Sequence, residues 1–233
     1  MTRSRRTAVV AALVVLAVLA GGIAIGRASA PDRTSSSDSS SSGSSSGSSS
    51  GHAAARPGAA DIGFAQDMAI HHDQAVLMSS LAVTRGGTAI RAIAESILTG
   101  QSQEVGLLRG WLRLWGAPGV GRHPMAWMGG HAMAAMDMSG SGDVLMPGMA
   151  SPADLDRLYA ATGSRFDVLF LQLMIRHHEG GLLMAKAVED RYPLATTLAA
   201  AQGISSEQLE ELGTMRALLA AAGAKPLPSP TLP

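Results

Sequence analysis

Met68, His71 and His72 recur as Met174, His177 and His178, one hundred and six residues further along the chain. The surrounding frame recurs with them: Phe64, Asp73 and Met78 answer to Phe170, Glu179 and Met184. Imidazole nitrogen and thioether sulfur are borderline and soft donors, and a set built from both suits copper, as Cu(I) or Cu(II). The 233 residues contain no cysteine, which excludes thiolate metal sites, disulfides and cysteine-linked lipid. Methionine and histidine are therefore the chain's means of holding a soft ion.

Carboxylates come from two other stretches. Ile90, Ala94, Ile97, Gln101, Glu104, Leu108, Trp111 and Trp115 step by four and three, the rhythm of a helix seam buried against other helices. Ala201, Ile204, Gln208, Glu211, Met215, Leu218 and Ala222 repeat it. A carboxylate on such a seam is costly unless it is paired or bound to a cation. Folding the chain back at Gly86, and again at Tyr192, brings Glu104 and Glu211 within about one or two helical turns of the neighbouring histidine pair.

In di-iron bundles two helices carry Glu-x-x-His and the other two carry one Glu each. Here Met68 and Met174 stand where the Glu of that motif would be. Asp67 precedes His71 by one turn, but its counterpart is Leu173, so it builds no symmetric carboxylate site. Iron or manganese is thus the alternative to copper. Met78 and Met184 lie about 20° around the helix from His71 and His177 but two turns on, ligands only if a bridge connects them. Asp73 and Glu179 are expected at the edge, orienting imidazole from behind.

The segment between the two halves adds an independent signal. His123, Met125, Met128, His131, Met133, Met136, Met138, Met146 and Met149 fall within 27 residues, interleaved with Gly, Ala and Pro. Such a density of both donor types predicts a metal-capturing loop. The competing reading is a lid that closes over the helices with methionines and Trp127 as adaptable packing.

The elements that must position these groups follow from periodicity and breakers. Helices are predicted from Asp61, as N-cap, to Thr84; from Thr88 to Trp115; from Ser164 to Asp190; and from Pro193 to Ala222. A short helix after the Ser151-Pro152 cap runs to about Thr162. Two hairpins of this kind pair into an all-α, antiparallel four-helix bundle over residues 61–222, with the Met/His-rich loop at 117–150 and a Pro-rich tail at 223–233.

Residues 1–30 read as a signal sequence or membrane anchor. Arg3, Arg5 and Arg6 precede an apolar run from Ala8 to Ile25, about 27 Å long as a helix, and place its N-terminal side in the cytoplasm. Ala28-Ser29-Ala30 has the small residues of a cleavage site, although Pro31 would follow the cut. Residues 31–60, rich in Ser and Gly, read as a disordered linker spanning about 30 Å. Four of the 18 basic side chains lie in the first 27 residues, leaving 14 against 18 acidic ones, with no clustered basic face for nucleic acid.

The frame Phe64-x-x-x-Met68-x-x-His71-His72 with Gln101-x-x-Glu104, repeated as Phe170-x-x-x-Met174-x-x-His177-His178 with Gln208-x-x-Glu211, resembles the bacterial domain-of-unknown-function family 305. The stretch from Phe166-Asp167 through Met184-Ala185 shares in the likeness. The resemblance implies a ferritin-like fold, export from the cytoplasm and, for some relatives, copper handling. One departure from strict repetition, Asp73-Gln74-Ala75 against Glu179-Gly180-Gly181, implies half-sites of unequal affinity.

The sequence therefore predicts an extracytoplasmic, anchored or secreted, copper-buffering or copper-sequestering protein. The histidine pairs, Met68 and Met174 would be ligands, and possible homo-oligomers are left open. It holds no nucleophile with a positioned base and no phosphate loop, so no catalytic residue is assigned. A ferritin-like metal-dependent oxidase using Glu104 and Glu211, and an interaction module with structural histidines, are the alternatives.

Overall fold

A computed structural model describes residues 56–129, 146–191 and 193–230. The predicted anchor, the Ser/Gly linker up to residue 55, and His131, Met133, Met136 and Met138 lie outside the described residues. Among the described residues all regular structure is helical, and no helix is long and apolar enough to cross a membrane.

Four helices of 27 residues dominate: α1 Ala59–Arg85, α2 Thr88–Leu114, α4 Gly163–Glu189 and α5 Ala195–Ala221. The short α3, Pro152–Ala160, precedes α4, and a single 3₁₀ turn forms at Ala126–Met128. α2 and α5 end alike. Gly116 and Gly223 adopt left-handed backbone (φ +65° and +72°), and the next residue returns its N–H to Leu112 O (2.8 Å) or Leu219 O (3.2 Å). Glycine at this position closes the last turn without a Cβ penalty.

Asp61 is not the N-cap. It sits one turn inside α1, where its carboxylate accepts the N–H of Gly58 (2.8 Å) and of Leu194 (2.8 Å). A cap needs only its own helix, whereas Asp61 joins the starts of α1 and α5. Ser151 does cap α3, accepting from Asp154 N while Asp154 accepts from Ser151 N, both at 3.1 Å.

α1 packs along α2, and α4 along α5. The two hairpins meet chiefly through α1 and α4, with a lighter contact between α2 and α5. The core has two parts. One holds Met68, Met184, Phe64, Leu108, Leu112 and Ile204; the other holds Met78, Met174, Phe166, Phe170, Ile97 and Met215. Each fully buried side chain of this size contributes roughly 1.5–3 kcal/mol. Between the two parts lies a polar layer.

Candidate metal centre

The polar layer is built from imidazoles. His71, His72, His177 and His178 are all fully buried, on the inner faces of α1 and α4. Their order follows from the helical repeat: adjacent residues point about 100° apart, so one ring of each pair faces the other hairpin and one faces its own partner helix. His71 and His177 meet across the α1–α4 interface with ring centroids 3.8 Å apart, while each lies 6.1–6.2 Å from its sequence neighbour. Rings from the two halves thus converge in the interior.

The outward-turned rings meet the seam glutamates. His178 Nε2 is hydrogen-bonded to Glu211 Oε2 at 2.7 Å. His72 Nε2 lies 2.9 Å from Glu104 Oε2 but off the line of a hydrogen bond, so the first half-site is the looser one. The inward pair uses backbone: His71 Nε2–H donates to Pro147 O (3.1 Å) and His177 Nε2–H to His71 O (2.9 Å). This leaves Nδ1 of all four rings buried with no hydrogen-bond partner among the described residues. A bare nitrogen lone pair in a dry interior is costly unless something coordinates it.

Burial fixes the charge state. It pushes His71 down to about 3, helped by neighbouring His72, and His72 down to about 3, helped by His178. Burial and the three other rings hold His177 well below its usual value. These imidazoles are neutral at pH 7, the form that ligates metal. Glu104 moves the other way: burial first, then the nearby Glu211 charge, raises it to about 7. Glu207, beside Gly100 on the α2–α5 face, is raised by burial and by Glu104 and Glu211. Gln101 and Gln208, one turn before the glutamates, are buried with neither amide atom partnered among the described residues.

Asp73 and Glu179 do not orient imidazole. Asp73 pairs with Arg109 and Glu179 with Arg216 (2.7 Å), one ion pair per hairpin. The sequence signal was there to find: an arginine follows each seam glutamate by five residues, on the adjoining face.

Thioethers flank the layer on both sides. Antiparallel packing sets Met68 of α1 in the same apolar cluster as Met184 of α4, and Met78 in that of Met174, all fully buried. Met125, Met128 and Met146, from the flanks of the central segment, join Met68 and Met184. Met149 is half-buried and His123 is exposed. Trp127 packs edge-on against Phe64, as the lid reading expected of it.

Those flanks are fastened to α1. Asp67, set aside by the repeat argument, accepts Met125 N–H (2.6 Å) and Trp127 Nε1–H (2.8 Å) through one oxygen. This holds Met125 in left-handed backbone at φ 62°. Gln66 donates to Pro118 O (2.7 Å), and Gln74 exchanges two bonds with Ala150 (2.9 and 2.7 Å). Between them Pro147-Gly148 crosses onto α4, so close that a Cβ at Gly180 would lie 2.0 Å from Pro147 O.

As placed, no three His, Asp or Glu side chains among the described residues converge as a ready cage for one ion. Four unpartnered Nδ1 atoms with thioethers on either side fit a soft ion of low coordination number better than a hard ion, which wants several oxygens.

A family model described as Domain of unknown function (DUF305) matches residues 61–219. The structure is similar to that of a Streptomyces coelicolor protein described as secreted and of that family. The TM-score is 0.63 and the identity 38%, over 72% of this chain and 97% of that one. A DUF305 fragment from Deinococcus radiodurans is 25% identical, with TM-score 0.58, over 71% of this chain and 99% of the fragment. CopM in its Cu(I)-bound form shares the fold at TM-score 0.51 and 21% identity, over 69% of this chain and 95% of CopM. No curated protein matches the chain.

Proposed function

The chain belongs to the DUF305 family, and on that premise we propose that it is an extracytoplasmic copper-binding protein that buffers or sequesters the ion. The observation carrying this reading is the set of four fully buried imidazoles whose Nδ1 atoms have no partner among the described residues. CopM, whose fold the chain shares, is known in Cu(I)-, Cu(II)- and Ag-bound forms, which lends the metal its identity.

His71, His72, His177 and His178 would supply nitrogen. Met68 and Met184, and less directly Met78 and Met174, would supply sulfur. Glu104 and Glu211 would balance charge and set the outward rings. His123, Met125, Met128, His131, Met133, Met136 and Met138 would collect ions from solvent. We read the fold as a ferritin-like four-helix bundle whose Ser/Gly linker and apolar N-terminal run tether or export it.

A second reading, a ferritin-like oxidase using iron or manganese, is favoured by one feature: Glu104 and Glu211 lie beside His72 and His178. Titrating residues 56–233 with Cu(I) and Cu(II) at neutral pH, with elemental analysis after native purification, separates the two. Copper uptake whose tightest fraction is lost when both histidine pairs are replaced supports buffering. Two hard ions per chain with oxygen consumption supports the oxidase, and no uptake of any metal leaves the histidines structural.

A further inference from the structure

α1 and α5 begin, and α2 and α4 end, at the same end of the helical domain, so the chain enters at Arg56 on that end. The same end carries an apolar surface that no described residue covers. Leu114 is 80% exposed, Val120 62% and Leu107 47%. Trp111 and Trp115 stack beside them with centroids 5.7 Å apart and are only partly buried. Gly106 and Gly110, on the same stretch of α2, border open space.

Basic side chains outnumber acidic ones at this end among the described residues. Arg56, Arg113, Arg122 and Arg191 are exposed, and none meets a carboxylate within ion-pairing distance among the described residues. The carboxylates nearby are already engaged. Asp61 and Asp67 are buried and accept N–H bonds, while Glu189 and Asp190 share the single ammonium of Lys186, Asp190 the more closely.

Stacked tryptophans and exposed aliphatic side chains, at an end that also carries four arginines without an ion-pair partner among the described residues, match the chemistry of the bilayer interface. The sequence upstream, an apolar run at 8–25 followed by a Ser/Gly stretch, would hold this end within about 30 Å of a membrane. We propose that this end of the helical domain docks onto an anionic lipid surface, inserting Leu114, Val120 and the edges of Trp111 and Trp115 between headgroups that the four arginines contact. Copper plays no part in the docking, so the proposal stands apart from the metal reading. Its consequence is orientation: the α3 end, away from Arg56, faces the surrounding medium.

Residues 56–233 are the piece to test, because the whole core lies within them and the crystallised relatives are matched over 97% and 99% of their length by this part of the chain. The domain is floated with vesicles of phosphatidylcholine alone or half phosphatidylglycerol, at low and raised salt, with tryptophan emission recorded and chelator present. Expected is partition onto the anionic vesicles with a blue shift, reversed by salt. Leu114→Asp with Val120→Asp should abolish both signals. Arg113→Gln with Arg122→Gln should weaken partition roughly thirtyfold. All four positions are exposed, so circular dichroism should show an unchanged fold. Failure of the wild type to partition, equal partition onto the neutral vesicles, or wild-type partition by both variants overturns the proposal. So does a salt-stable dimer, dissociated by Leu114→Asp, that leaves vesicle binding absent.

Discussion

The two apolar compartments on either side of the imidazole layer are related by the internal repeat, yet they are filled differently. Each receives one methionine from α1 and one from α4: Met68 with Met184, and Met78 with Met174. The first compartment then gains Met125, Met128 and Met146 from the central segment, while the second is packed with Phe166, Phe170 and aliphatic side chains beside Met215. Duplication alone yields a balanced pair of sulfurs above and below the rings. The insertion between the hairpins makes one side soft and leaves the other an ordinary core.

The strap that brings those extra sulfurs is the most sensitive place to break the difference. Gly180→Ala should cost about 3 kcal/mol in urea unfolding, because the new Cβ meets backbone rather than a movable side chain. Gly213→Ala, on an open helical surface, should instead stabilise by about 0.5–1 kcal/mol. Equal effects at the two positions would mean that Pro147-Gly148 does not bear on α4.

Acid acts on the layer the compartments share. Histidines held near 3 when folded take up protons near 6.5 when unfolded, so their contribution is full above about pH 6.5 and is lost as pH falls. Glu104, raised to about 7 from 4.5, has the opposite sign and offsets part of that loss. Counting His71, His72 and His177 against Glu104, the metal-free domain should lose about 3 kcal/mol between pH 6.5 and 5. Urea midpoints across that range check the sign. Stability that held constant or rose on acidification would show the rings to be charged or solvated.

Sharpening the sulfur contrast needs paired variants. Met68→Leu with Met184→Leu should weaken Cu(I) binding about tenfold or more, whereas Met78→Leu with Met174→Leu should change it far less. Each pair should alter stability by under about 1.5 kcal/mol, since the swap conserves volume. Competition titration with a Cu(I) chelator gives the ratio, and equal losses would erase the distinction. Smallest is the surface comparison. Arg109→Gln should cost only about 0.5 kcal/mol in thermal unfolding, because its pair with Asp73 is solvent-exposed, whereas Arg216→Gln should cost more, because it strands the mostly buried Glu179.

The long helices were legible within about two residues at most ends because their seams keep a steady rhythm and Gly86, Gly116 and Ser151 mark the breaks. The meeting of His72 with Glu104 and of His178 with Glu211 followed from folding each hairpin at its turn. What escaped were contacts that leave a single helix, whether to the other hairpin, the central segment or the neighbouring helix. Reading along one helix sets Met184 two turns from His177, but antiparallel crossing lays it beside Met68. Asp67 looked idle because the repeat offers Leu173 opposite it, yet its partners belong to the unrepeated segment. Asp73 and Glu179 were aimed at rings when the nearer cation was an arginine on the next helix.

Gln66, Asp67 and Gln74 all belong to α1, so the stretch leading into the second hairpin is pinned to the first on both sides of the point where Pro147-Gly148 crosses α4. It works as a cross-tie. A slip of one helix past the other by a single turn, about 5.4 Å, would part the closely set His71 and His177 rings and lift Pro147 from its seat against Gly180. The axial register of the two halves is thereby locked by a piece of chain that neither half contains.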